Sequence, residues 1–141
     1  VHAAARLGMH MVVCCPEGYE PNSKVVNEAM HTAQETGGDI DITDDVEKGV
    51  AGADAVYTDV WASMGQEDEV EERAAVFHDY QVNEDLMELA NPNAFFMHCL
   101  PAHRGHEVSA AVMDGPQSIV YDIAENRLHV QKAVMALLIN K

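Results

Sequence analysis

Apolar positions in this chain fall into short runs separated by stretches of helical spacing. Met11-Val12-Val13-Cys14-Cys15 is such a run, stopped by Pro16 and Gly18, and it reads as a buried strand entering a turn. Val26, Ala29, Met30 and Ala33 then recur at helical spacing until Gly37-Gly38 ends the helix. Asp39–Thr43 sets Ile40 and Ile42 on one face of a strand, a brief helix occupies Asp44–Val50, and Ala55–Thr58 is a further strand. Glu67–Tyr80 reads as a helix with Val70, Ala74 and Phe77 inward and an acidic first turn that suits the helix dipole. Asn83 caps a helix running to Ala90, and Asn91-Pro92-Asn93 turns the chain into a strand at Ala94–Met97. Ser118–Tyr121 is a weaker fifth strand, and Asp122 starts a last helix on Val130, Val134, Leu137 and Leu138. Val1–Leu7 resembles the tail of a helix whose capped start is missing.

Strands that alternate with helices imply right-handed crossovers and a parallel sheet covered on both faces. The expected fold is therefore α/β, a doubly wound, Rossmann-like parallel sheet of about five strands, with one domain filling residues 1–141. Ligands of such sheets bind beyond the carboxyl ends of the strands. That places interest on the loops after Cys15, Thr58 and Met97.

Composition narrows the partners. The 141 residues carry 24 Asp and Glu against 8 Lys and Arg, a formal charge of −16. Such a surface repels phosphate backbones and anionic membranes, which argues against nucleic-acid or membrane partners. No apolar run approaches the roughly 18 residues of a membrane span. Three cysteines with no leader are expected to be reduced thiols in a cytoplasmic protein, since adjacent Cys14 and Cys15 point to opposite faces of a strand.

Two loops hold unusual residues. Asp59-Val60-Trp61-Ala62-Ser63-Met64-Gly65-Gln66 follows a strand with an acid, an indole, a hydroxyl and a glycine. Asp59 there either holds an ammonium group or caps a turn, with Trp61 in the core. His98-Cys99-Leu100-Pro101-Ala102-His103-Arg104-Gly105-His106 offers Cys99 as a nucleophile whose pKa His98 lowers, or Cys99, His103 and His106 as zinc ligands. It equally fits a strand end with a buried thiol and solvated histidines. No paired ligand spacing completes a zinc site, so no structural metal is expected. Arg127, near the start of the last helix, can meet an anion, unless Glu125 neutralises it.

Together these segments closely resemble the ornithine carbamoyltransferase family over essentially the whole chain. The matching stretches are Gly8–Pro21, Asp59–Gln66, His98–Pro101, and Glu125–Arg127 with Lys132-Ala133-Val134-Met135 behind it. Ser63-Met64-Gly65 and His98-Cys99-Leu100-Pro101 are the most specific. The resemblance implies the carboxyl-terminal, ornithine-binding domain alone, with the amino-terminal carbamoyl phosphate domain and its Ser-x-Arg-Thr loop absent. It implies that Asp59 binds the α-ammonium of L-ornithine, with Ser63 and Met64 adding contacts and Gly65 serving as a hinge. Cys99 and the Leu100 backbone would line the place where the side-chain amine attacks, and Arg127 would point at carbamoyl phosphate. It further implies carbamoyl transfer giving citrulline and phosphate with no cofactor, a homotrimer in the full enzyme, and no turnover by this chain alone. The competing readings are a non-catalytic amino-acid-binding module, a carbamoyltransferase for another amine, and an acidic interaction domain without a pocket.

Overall fold

The computed structural model describes residues 1–62, 65 and 67–139. They form an α/β arrangement of parallel strands and helices that divides into two compact units, Val1–Ala51 and the chain from Gly52 on. The first unit runs α1 (His2–Arg6), β1 (His10–Cys14), α2 (Ser23–Thr36), β2 (Asp39–Thr43) and α3 (Val46–Val50). β1 and β2 pair in parallel with His10 opposite Asp39 and Cys14 opposite Thr43. Ala4 and Ala5 of α1 meet Ala29 and Ala33 of α2 over Ile40. Alanine on both helices lets the backbones approach closely, which is how short helices close a small core. Asn22 starts α2 by accepting from the Lys24 amide at 3.0 Å, and Gly37, at φ 82°, ends it in the left-handed conformation.

The second unit runs β3 (Ala55–Thr58), α4 (Val70–Phe77), α5 (Glu84–Leu89), β4 (Phe95–His98), α6 (Ala110–Met113) and α7 (Val120–Ile139). β3 and β4 are parallel, with Val56 opposite Phe96 and Thr58 opposite His98. Val56, Phe96, Val108, Val112, Met113 and Val120 are buried around this pair. Asn83 caps α5 through the Leu86 amide at 2.9 Å.

The expected boundaries of the β2 and β3 strands match the observed ones, and the parallel α/β character holds. Four differences stand out. The described residues hold four strands in two parallel pairs, not one sheet of about five. Ser118 makes a single parallel bridge to Phe96, through Phe96 N to Gln117 O and Ile119 N to Phe96 O, and α7 begins at once at Val120. The backbone groups after Ile119 are thus committed to the helix, so the pairing at Ser118 stays a single bridge. Residues 67–80 form α4 flanked by 3₁₀ turns at Glu67–Glu69 and His78–Tyr80, with Ala74 and Phe77 half-buried but Val70 exposed. α7 begins two residues before Asp122 and exposes Val130, Val134, Leu137 and Leu138. α6 carried too short an apolar pattern to be read from sequence; Ser109 caps it at the Val112 amide.

Among the described residues, no helix is long and apolar enough to cross a membrane. All three cysteines are free. Cys14 Sγ donates to the Asp45 carbonyl at 3.6 Å, and burial, then the neighbouring Cys15 and Asp45, push its pKa up to about 11.

Two outcomes follow from this packing. Phe96 is fully buried beneath the strand ends, so Phe96→Ala should lower the stability of the chain by about 3–5 kcal/mol in urea unfolding. Cys14 holds its proton more tightly folded than unfolded. Below the ordinary thiol range both states are protonated and its contribution to stability is intact. As pH rises from about 9 towards about 11 the unfolded chain gains by ionising, so stability should fall over that window, less so in Cys14→Ala. An urea midpoint that stays level from pH 8 to 11 would contradict this.

Candidate functional site

The register of the β3–β4 pair builds the site. Thr58 lies opposite His98, so the next residues, Asp59 and Cys99, leave neighbouring parallel strands side by side at their carboxyl ends. Cys99 Sγ donates to Asp59 Oδ1 at 2.9 Å, and the same oxygen accepts from the Val60 amide at 2.7 Å. The Tyr57 phenol, on β3 two residues before Asp59, interacts electrostatically with the Cys99 sulfur. Burial raises the Cys99 pKa first, and the Asp59 contact raises it further, with only partial relief from Tyr57. Tyr57 is pushed up to about 12 by burial and by Cys99, against a lowering influence from Arg127. At neutral pH the strand ends thus hold one carboxylate, one neutral thiol and one neutral phenol.

Arg127 lies on the exposed side of α7 and lines a groove of about 760 Å³ with Cys99, Leu100 and Pro101. Glu125 does not neutralise it; its carboxylate lies 3.3 Å from His129 Nε2, one helical turn on. Leu100 sits at φ 57°, the left-handed region that a side chain normally avoids. Its amide donates to His98 Nδ1 at 2.8 Å. Asp59, Cys99, Leu100 and Arg127 therefore come to one end of the strands. Ser63 and Met64 lie outside the described residues; Gly65, between them and α4, has φ 88°.

The reading of Cys99 as a thiolate nucleophile activated by His98 meets an opposite geometry. His98 is fully buried, its Nδ1 is taken by Leu100, and the thiol points at a carboxylate that raises its pKa. His103 turns towards Glu107, with Nδ1 at 3.8 Å from its carboxylate, and its ring stands 6.1 Å from that of His106. Among the described residues, no three His, Cys, Asp or Glu side chains gather closely enough to hold a metal ion.

Sequence reasoning missed the supports. Trp61 is half-buried, stacked on Phe77 at 6.2 Å and tilted against His106 at 6.2 Å. Arg73 Nη1 donates to the Trp61 carbonyl at 3.3 Å while its Nε bonds Glu69 at 2.7 Å, which ties Trp61 to α4. Tyr57 carried a readable signal: it is the outward position of a strand whose next residue is the acid.

Comparison with known proteins identifies the family. The family described as aspartate/ornithine carbamoyltransferase, Asp/Orn binding domain, matches residues 1–138. The ornithine carbamoyltransferase of Pyrococcus abyssi is 56% identical over 137 residues, covering 97% of this chain and 43% of that protein. That of Methanothermobacter thermautotrophicus is 60% identical over 131 residues, 93% of this chain and 44% of that protein. The solved ornithine carbamoyltransferase from Pyrococcus furiosus superposes with a TM-score of 0.91 at 56% identity, over 96% of this chain and 43% of the other. The chain thus spans less than half the length of the relatives it matches. A match across residues 1–138, joined to that fold likeness, places the chain in the aspartate/ornithine carbamoyltransferase family, as its Asp/Orn binding domain.

Proposed function

We propose that this chain is the ornithine-binding half of an ornithine carbamoyltransferase. The reaction moves the carbamoyl group of carbamoyl phosphate to the side-chain amine of L-ornithine, giving L-citrulline and phosphate. The contact between the protonated Cys99 thiol and the Asp59 carboxylate, 2.9 Å apart at the ends of neighbouring strands, carries the reading. An alkyl ammonium keeps its proton up to about pH 10.4, and only the free amine attacks. A second carboxylate in the place of Cys99 would hold that proton on the amine. A neutral thiol gives the amine a polar neighbour without doing so.

In this reading Asp59 binds the α-ammonium, and Ser63 and Met64 add contacts to the amino acid. Cys99 and the Leu100 backbone line the path of the side-chain nitrogen. A C–N bond forms at the carbamoyl carbon, the C–O bond to phosphate breaks, and the amine sheds its proton. Arg127, exposed along the same groove, meets the negative charge that develops on the carbonyl oxygen and the departing phosphate. The carbamoyl phosphate cradle belongs to the amino-terminal half of such an enzyme. The remaining elements of the proposal are a doubly wound sheet of about five strands, assembly as a homotrimer and a cytoplasmic location, supported by family likeness.

The relevant assay is citrulline formation by the full-length protein that contains these 141 residues and by the 141-residue chain alone. The full-length protein should form citrulline. The chain alone should not exceed the uncatalysed rate, because holding two reactants in an attack geometry contributes up to about 7–11 kcal/mol and one partner's site is elsewhere. Arg127→Met in the full-length protein should lower kcat on the order of 10²–10³-fold, as expected for one lost transition-state donor. Asp59→Asn should raise the KM for ornithine far more than that for carbamoyl phosphate. A full-length protein inactive with ornithine but active with another amine would replace the substrate assignment. Inactivity with every amine, with ornithine still bound, would favour a binding module.

A further inference from the structure

One buried acid plays no part in the proposal above. Glu107 is 1% exposed and His98 is 0% exposed, the two fully buried polar side chains among the described residues of the second unit. They bracket the loop that carries Cys99 and Leu100. Glu107 Oε1 accepts from the His103 amide and lies 3.4 Å from His98 Nε2, outside hydrogen-bond geometry; its Oε2 lies 3.8 Å from His103 Nδ1. The backbone of Glu107 is fixed as well, since its carbonyl accepts from the Val82 amide at 2.9 Å. On the other side of the His98 ring, Nδ1 accepts from the Leu100 amide at 2.8 Å.

The hydrogen-bond roles follow from that arrangement. An imidazole nitrogen that accepts carries no proton, so the proton of the His98 ring sits on Nε2, facing Glu107. The Leu100 amide thus selects the tautomer, and the carboxylate 3.4 Å away attracts the Nε2 proton and so biases the orientation of the ring. The oriented ring then offers the acceptor that holds Leu100 in its left-handed backbone at φ 57°. Leu100 adjoins Cys99, so the seat of the thiol beside Asp59 depends on that backbone.

We propose that Glu107 is a positioning residue for the amine site, acting through His98: its Oε1 orients the buried ring, and the ring fixes the Leu100 backbone and with it the place of the Cys99 thiol. The assignment rests on the reading of Cys99 and Asp59 as the amine site. Its test needs no turnover, so failure of carbamoyl transfer and failure of the positioning role remain separate results.

The probe is iodoacetamide alkylation of Cys99, followed as a function of pH by peptide mass spectrometry, which separates it from Cys14 and Cys15. In the wild-type protein Cys99 should alkylate slowly at pH 8, because burial and Asp59 hold its proton on. Glu107→Gln keeps an acceptor oxygen at the Oε1 position and should leave the pH profile in place. Glu107→Met keeps the length and loses the acceptor; Cys99 should leave Asp59 and react several-fold faster at pH 8, because the carboxylate no longer holds its proton on. A folded Glu107→Met protein with the wild-type profile overturns the proposal, and so does Glu107→Gln shifting as far as Glu107→Met. Should Glu107→Met not fold, hydrogen exchange decides on the wild-type and Glu107→Gln proteins. The Leu100 amide should be protected in both, and exchange at the rate of an unbonded loop amide in either contradicts the assignment.

Discussion

The parallel pairing of β3 with β4 is the constraint on which the site depends. With Thr58 opposite His98, the chain leaves both strands at the same level, and the first residue beyond each is Asp59 or Cys99. A slip of one residue would turn every side chain on one strand to the other face and part the thiol from the carboxylate. The register is held by what lies beneath it: Val56 and Phe96 are opposite one another and buried, while Tyr57 faces outward. The packing energy of the core therefore fixes the geometry of a polar contact that contributes little stability of its own.

That contact is chemically unusual. A half-buried thiol beside a carboxylate keeps its proton, the reverse of what a nucleophilic cysteine needs. Tyr57 adds a second neutral group whose own ionisation is pushed to about 12. The strand ends thus concentrate negative charge on Asp59 alone, and Arg127 supplies positive charge along the groove. One anion for an ammonium, one cation for a phosphate and neutral groups between them suit the attack of an uncharged amine.

Much of this was legible in the chain. The short strands announce themselves as apolar runs ended by turn residues, and Asp59 and Cys99 stand out because each directly follows one. Their meeting was not legible, because periodicity carries no register. Glu107 was invisible for a different reason: it is one of 24 acidic residues, and only the fold shows that it is buried while so many others are in water. Ser118–Tyr121 is a bridge and a helix start instead of a strand of that length, because Gln117 and Ile119 make the two hydrogen bonds of a single bridge and the next residues join a helix. Along α7, apolar residues at helical spacing record that the helix has an apolar face without recording what covers it. Val130, Val134, Leu137 and Leu138 are exposed in this chain.

The central claim is that Asp59 and Cys99 together receive the amino-acid substrate. Protection of the thiol tests it most directly. In the full-length protein, with inorganic phosphate present to stand in for the departing group, L-ornithine should slow alkylation of Cys99 in proportion to its occupancy. Cys14 and Cys15, on the other compact unit, should be unaffected, and Asp59→Asn should abolish the protection. Alkylation of Cys99 at the same rate with and without saturating ornithine would contradict the account.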